Sequence, residues 1–416
     1  MRRIFLVNML ILLVLRISDL FAERQIGITL INNVYSAHNL SNNILNLSES
    51  WKYGGDCDVH MIASPGMVFE DDFQSDALLD LYFSKPYDTN SLNIVVREAF
   101  IDFLFYDTVS FKAGFIQTDY GFNNNYFHPL NVIEFVPELR ESYTNIYIGP
   151  NDVGIPGVPS ARLRISLPEF VEGLKIGLDQ GLIWYDYEHF DKNYFISSLT
   201  GVYSDLQAGV IFVYSGNSFG NDAEVRKPVL GMNFSVGLPF KSIFLWEGVF
   251  RQESYRNFVQ DSNVLNKREA LFFNQSVRLE TSQEDLFFHN TLSAYAEYFY
   301  YDEGISADQY NLIYDFLKNP INILQYGNKL IIKERNFKNN LTFGIHYLTR
   351  QRWKFSYQAI TELDSTFWQH WFTVGKAFNN VTISGTFIYI PETEEKYQLI
   401  YFAKNVLVYL QMSIDI

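Results

Sequence analysis

The chain has 416 residues, of which 48% are hydrophobic and 17% aromatic: 37 Phe, 28 Tyr and 6 Trp. Its 32 basic and 47 acidic residues give a net charge of −15, which argues against nucleic acid as a partner, and the hydrophobic content excludes intrinsic disorder. Apolar residues are interspersed with polar ones rather than gathered in runs of about 20, which excludes a bundle of membrane-spanning helices, and the single cysteine, Cys57, excludes a disulfide framework.

Residues 1–22 read as a secretory signal peptide. Arg2 and Arg3 form a short basic start, Ile4 to Leu15 is an apolar run broken only by Asn8, and Ala22 offers a small residue for cleavage. The apolar run is too short for a membrane anchor, and no cysteine lies nearby for lipid attachment. Residues 23–416 remain as the mature chain.

Beyond residue 90 the hydrophobic period is two, the period of a β-strand with unlike faces. Val109, Phe111, Ala113 and Phe115 oppose Ser110, Lys112 and Gly114. Ala161, Leu163, Ile165 and Leu167 oppose Arg162, Arg164 and Ser166. The same alternation runs through 229–238, 341–348 and 353–359. Strands are predicted at about 94–106, 109–118, 161–167, 174–185, 194–203, 206–214, 228–237, 243–251, 269–280, 291–301, 339–348, 353–362, 367–377, 381–390 and 397–416. The links between them fall into two alternating classes, one mostly tight and one that includes the long segments 119–160 and 302–338. Transmembrane barrels have this asymmetry, with short turns on the periplasmic side and long loops outside.

These features define the expected fold class: all-β, a transmembrane antiparallel up-and-down β-barrel. The fifteen strands above need an odd number before residue 94 to close an even ring. One gives about sixteen, the favoured count; three give eighteen. The candidates are Ile26 to Leu30, a stretch near Val59 to Phe69, and Ala77 to Phe83. Trp184, Tyr185, Trp246, Tyr298, Tyr300, Trp353, Trp368 and Tyr389 are candidates for aromatic girdles at the membrane interfaces.

The opposite faces of the strands would line the lumen. They carry Lys112, Arg162, Arg164, Lys175, Arg251, Arg278 and Lys354 against Glu98, Asp102, Asp179, Glu247, Glu280 and Glu297, so the expected wall is nearly charge-balanced. Arg162 and Arg164, about 7 Å apart at strand rise, are the best candidates for an anionic solute contact, the bland reading being that wall carboxylates pair with them. Loop 119–160 is expected to fold into the mouth and narrow it; the bland alternative is a cap over the rim. In loop 302–338, Tyr310 to Leu317 is read as a short helix or an extra strand pair.

Catalytic signatures are absent from the sequence. The seven histidines form no H-E-x-x-H, and there is no G-x-S-x-G, no phosphate-binding glycine loop and no C-x-x-C, so no enzyme activity, cofactor or metal is expected. Asp56-Cys57-Asp58, read as a turn, offers two acids and one thiol, short of a full metal-ligand set. Only His370 and Gln275 are expected to interrupt the lipid-facing rows, with no neighbouring nucleophile, and His370 is expected to be an interfacial residue.

Two segments carry a family resemblance. Arg97-Glu98-Ala99-Phe100-Ile101-Asp102, Lys112-Ala113-Gly114-Phe115, Tyr120-Gly121 and His128-Pro129-Leu130-Asn131-Val132 together resemble the acidic-aromatic strand, the G-R strand, the W-G pair and the N-P-x-D-V segment of bacterial outer-membrane porin-like proteins. Tyr120, His128 and Asn131 differ from the residues that family uses. The alternation of Val408, Leu410, Met412, Ile414 and Ile416 resembles the C-terminal strand read by the outer-membrane barrel assembly machinery, with Ile416 in place of the usual aromatic. The resemblance implies an outer-membrane location and contact with outer-membrane lipid and with that machinery. It also implies a channel for small hydrophilic solutes. Assembly as a homotrimer is left open. The alternative is a non-conducting surface barrel acting in adhesion or ligand binding through its loops, and behind it a soluble secreted β protein.

Overall fold

Alternating side chains and tight turns build one antiparallel sheet. A computed structural model describes residues 23–38, 52–70, 73–86, 93–116, 158–169, 171–184, 193–215, 227–254, 258–260, 263–265, 268–286, 290–304, 306–319, 321–322, 338–363, 368–379, 381–391 and 406–415. The predicted leader and almost all of loop 119–160 lie outside the described residues.

Three strands precede residue 93: β1 (Glu23–His38), β2 (Lys52–Glu70) and β3 (Phe73–Pro86). Then follow β4 (Asn93–Phe105), β5 (Val109–Ile116), β6 (Val158–Leu167), β7 (Leu174–Ile183), β8 (Tyr194–Tyr203), β9 (Leu206–Ser215), β10 (Val229–Leu238) and β11 (Ser242–Ser254). A separate hairpin, β12 (Phe258–Gln260) and β13 (Asn263–Leu265), lies in the next link. The sheet resumes with β14 (Arg268–Leu286), β15 (Asn290–Tyr301), β16 (Asn339–Leu348), β17 (Trp353–Glu362), β18 (Trp368–Phe378), β19 (Val381–Tyr389) and β20 (Val406–Asp415). Helix α1 (Ala307–Leu317) occupies the link after β15.

The main sheet has eighteen strands, the larger of the two counts that the alternation allowed, because all three early candidates are strands. Each strand pairs with its sequence neighbours, β11 with β14 across the hairpin, and β20 pairs with both β19 and β1. Among the described residues every strand of the ring therefore has two hydrogen-bonded neighbours and no strand is left as an edge, the condition a sheet must meet in hydrocarbon. Asp56, Cys57 and Asp58 lie within β2 rather than in a turn.

The short links gather at one end of the strands. Tyr106 and Asp107 both have positive φ (51° and 52°), as do Phe240 and Lys241 (62° and 51°), which is the geometry tight hairpins need to match strand twist. Gly114 has φ of 140°, and a Cβ there would collide with the Ala99 carbonyl, so the glycine of the Lys112–Phe115 segment is required where β5 passes β4.

The outer wall is apolar and open. Ile101, Phe111, Leu163, Leu271, Leu279, Ile345, Phe372 and Leu410 all stand well exposed, Leu271 at 68%. Apolar side chains in continuous rows around a sheet far exceed the patches a soluble monomer tolerates and fit a lipid surface. Trp246, Tyr298, Tyr300, Trp353, Trp368 and Tyr389 stand on this face by register.

Candidate functional site

Strand alternation puts the predicted charged residues on the face opposite the open apolar rows. Hydrogen-bonded register then sorts them into rungs that run around the inner wall. One rung reads Lys112, Arg162, Gly181, Ile196, Val213, Val229, Arg251 and Phe272. The next reads Ser110, Arg164, Asp179, Ser198, Ile211, Gly231, Val249, Asn274 and Tyr301.

Over β4–β7 these rungs form a charged ladder. Asp179 accepts from Arg162 Nε at 2.5 Å and sits 3.4 Å from Arg164 Nε, so one carboxylate serves both arginines. Its side chain is 6% exposed and that of Arg164 is 57% exposed, so the free side of the Arg164 guanidinium faces open space. Beside them Asp102 accepts from Ser110 Oγ at 2.7 Å and lies 3.6 Å from Lys112 Nζ, which also rides over the Phe100 ring at 3.9 Å. Glu98 lies on β4 opposite Asp80 of β3, and Lys175 and Lys354 are exposed near the short-turn end.

The neighbouring sector differs from the expected polar wall. Ile196, Ile211, Val213, Val229, Val249 and Phe272 occupy inner positions on β8–β11 and β14 and are all buried, Val249 completely. An inner side chain of so wide a ring is buried only where something fills the lumen in front of it. This face has no signature in the alternation because β8 and β9 are apolar on both sides (Phe195 with Ile196, Val210 with Ile211). Strict alternation is therefore lost there, and that loss was the available signal.

Three carboxylates lie deep in the same half. Glu247 and Glu297 are 0% and 2% exposed, on inner positions of β11 and β15. Glu297 accepts from Ser276 Oγ at 3.0 Å and stands 3.9 Å from Arg278, which pairs with Glu280 at 2.7 Å and covers the Tyr295 ring at 4.5 Å. Glu303, just past β15, pairs with Arg251 at 2.9 Å and accepts from Asn274 Nδ2 at 2.8 Å. Arg251 and Asn274 are inner-wall residues, so the chain leaving β15 turns inward over the rim.

Asp302 strengthens that anchor. Its amide donates to Asn274 Oδ1 at 2.9 Å, and its carboxylate pairs with Lys338 at 2.9 Å. Burial alone would raise the Asp302 pKa, but the Lys338 ammonium, the Tyr300 hydroxyl and the Phe273 amide outweigh it and hold the carboxyl below its usual range. The chain then enters α1, where Ser306 caps the first turn through Gln309 N. Tyr310, Ile313 and Leu317 share one buried helix face, and Gln309 Nε2 donates to Val259 O in the β12–β13 hairpin at 2.8 Å. Of the two expectations for residues 310–317 the structure holds the helix, and the links after β11 and β15 meet.

Both expected interruptions of the outer rows are satisfied by aromatics. Trp246 Nε1 donates to Gln275 at 3.2 Å, and His370 stacks between Trp368 and Tyr389 with Tyr357 OH 3.0 Å from its Nδ1. The outer rows hold a third interruption beyond the two expected: Lys376, on the same row as Phe372 and Val374.

This geometry, a ring of eighteen antiparallel up-and-down strands with an apolar outside, a charged inner ladder and inward-turning long links, is that of a transmembrane β-barrel. The structure of OprB from Pseudomonas putida at high pH is similar in fold, with a TM-score of 0.51 and 10% identity over 94% of each chain. A mutant of the Rh. blastica porin (TM-score 0.47, 8% identity, 95% of this chain and 100% of that one) and Salmonella typhi OmpF in complex with daunomycin (0.46, 8%, 94% and 97%) also match. No protein-family model matches the sequence, and no curated protein does.

Proposed function

We propose that the chain is an outer-membrane channel for small hydrophilic solutes, exported by the leader at residues 1–22 and built from residues 23–416. The observation that carries this reading is the charged ladder of β4–β7, where Arg164 keeps a free guanidinium face on the inner wall of a ring without unpaired edges. Charges of both signs on that wall need water, and an eighteen-strand ring is wide enough to hold it. The wall performs no chemistry in this reading. It supplies a hydrated path with fixed charges that bias which solutes enter. Contact with outer-membrane lipid and recognition of the last strand by the barrel assembly machinery belong to the same proposal.

The buried apolar sector of β8–β11 supports a second reading, a plugged barrel that works at the surface through its long links. Single-channel currents from the purified mature chain in a planar bilayer separate the two. Discrete steps with weak ion preference are expected for the channel. Insertion without conductance transfers the assignment to the plugged barrel. Native mass measurement in detergent decides between single barrels and homotrimers.

A further inference from the structure

The short-turn end of β16–β18 carries a feature that neither the channel nor the plug uses. A cavity of about 680 Å³ opens there, lined by Asn290, Thr349, Arg350, Gln351, Trp353 and Phe355. Its frame is fixed by the turn: Trp353 N donates to Thr349 Oγ1 at 3.0 Å, Arg352 N to Thr349 O at 2.8 Å, and Arg350 N to Asn290 Oδ1 at 2.9 Å. Asn290 is itself held by Tyr347 OH at 2.5 Å. The Arg350 backbone is thus pinned to β15 while its side chain stays exposed.

The second observation is Lys376. By register it stands opposite Trp353 on the outer, apolar face, and its ammonium lies 4.7 Å from the centre of the Trp353 ring and 5.1 Å from that of Phe378. A lysine in a lipid-facing row keeps its stem on apolar surface and carries its charge to the headgroup level. Neither Arg350 nor Lys376 has a carboxylate partner among the described residues, whereas Lys241 at another short turn pairs with Glu284 at 3.2 Å. Among the described residues, then, a chain with a net charge of −15 keeps cations without a carboxylate partner at this place, with Arg352 adding a third in the same turn. Cations at the border of an apolar wall and beside an aromatic cavity match a ligand that is anionic at one end and hydrocarbon at the other.

We propose that this cavity binds an anionic phospholipid, its phosphodiester held by Arg350 and Lys376 and an acyl chain lying on Trp353 and Phe355. A free phosphate fits less well, since it leaves the apolar part of the cavity uncovered. The proposal rests on the chain spanning a membrane, as proposed above. It requires no open lumen.

The test is native mass spectrometry of the full mature chain in detergent, titrated with phosphatidylglycerol and, in parallel, phosphatidylcholine. Phosphatidylglycerol is expected to be retained in preference. Arg350→Gln with Lys376→Gln is expected to weaken its binding roughly twentyfold, and Lys241→Gln to titrate like the unaltered chain. Heat-modifiable gel mobility checks that each variant is folded; where the double variant is not, Lys376→Gln alone carries the comparison with an expected loss of about fivefold. Equal phosphatidylglycerol affinity in the folded variant, or equal affinity for the two lipids, overturns the site and leaves the membrane reading intact. A mature chain that stays folded and monodisperse without detergent overturns both.

Discussion

On the inner wall, β5–β7 and β8–β11 share the same rungs but not the same chemistry. Where the first stretch presents Lys112, Arg162, Arg164 and Asp179, the second presents Ile196, Val213, Val229 and Val249. Backbone pairing is continuous across both, so the difference lies in what each stretch faces. A charged side chain is retained where water or a counter-charge is available, and an apolar one where protein covers it. The contrast gives the inner wall a charged side and a filled side, with the anchor at Glu303 on the filled one.

The largest effect is expected from exchanging the two chemistries. Val249→Lys forces a long charged side chain into a fully buried site between Glu247 and Arg251 and is expected to cost about 3 kcal/mol or more, read as loss of the heat-modifiable folded form or as a drop in the urea midpoint. Retention of the folded form together with higher conductance would show that the β8–β11 face is wet after all. Asp179→Asn removes the shared counter-ion of Arg162 and Arg164. The expected cost is about 1–3 kcal/mol, toward the lower end because Arg164 is mostly solvated. The same change is expected to shift the reversal potential toward anions.

The filled side is probed by a double-mutant cycle on Arg251→Met and Glu303→Gln. A coupling of about 1–2 kcal/mol is expected, since both groups are largely buried and Asn274 also holds the carboxylate. Each single variant is expected to raise conductance by loosening the inward turn, and unchanged currents remove that turn from the gatekeeping role. Asp302 and Lys338 give the smallest and most pH-dependent effect. Asp302 is held below the ordinary aspartate value of 3.8, so its contribution is complete above that pH and disappears as pH falls through the lowered value. For Lys338 burial alone would lower the pKa, but the Asp302 carboxylate raises it above 10.5, so its contribution is complete below that value and is lost as pH rises through the raised one. A flat plateau between 3.8 and 10.5 is expected in thermal stability, with an acid-side loss that Asp302→Asn abolishes.

Much of this was readable from residue alternation because a membrane strand has two unlike environments, and period two reports both at once. Arg162 and Arg164 declared themselves by alternating with Ala161, Leu163 and Ile165, and their pairing with Asp179 was the bland expectation that the structure bears out. Alternation fails where both environments are apolar, and Ile196 and Val213 were lost for that reason. It gives no cross-strand register either, so the neighbours of Glu247, Glu297 and Glu303 had no one-dimensional signature. Lys376 was overlooked because one cation in an apolar row resembles a polar interruption until Trp353 is seen beneath it.

The pairing of β20 with β1 has a consequence for how the molecule is made. Thr29 meets Asp415 and His38 meets Val406, the most distant partners along the polypeptide anywhere in the ring. Local hairpins such as β4–β5 need only a few residues of slack, but this seam waits on the ordering of everything between. This one pairing removes the last two open edges of the sheet together, so the two ends of the polypeptide must both be in place before the ring exists.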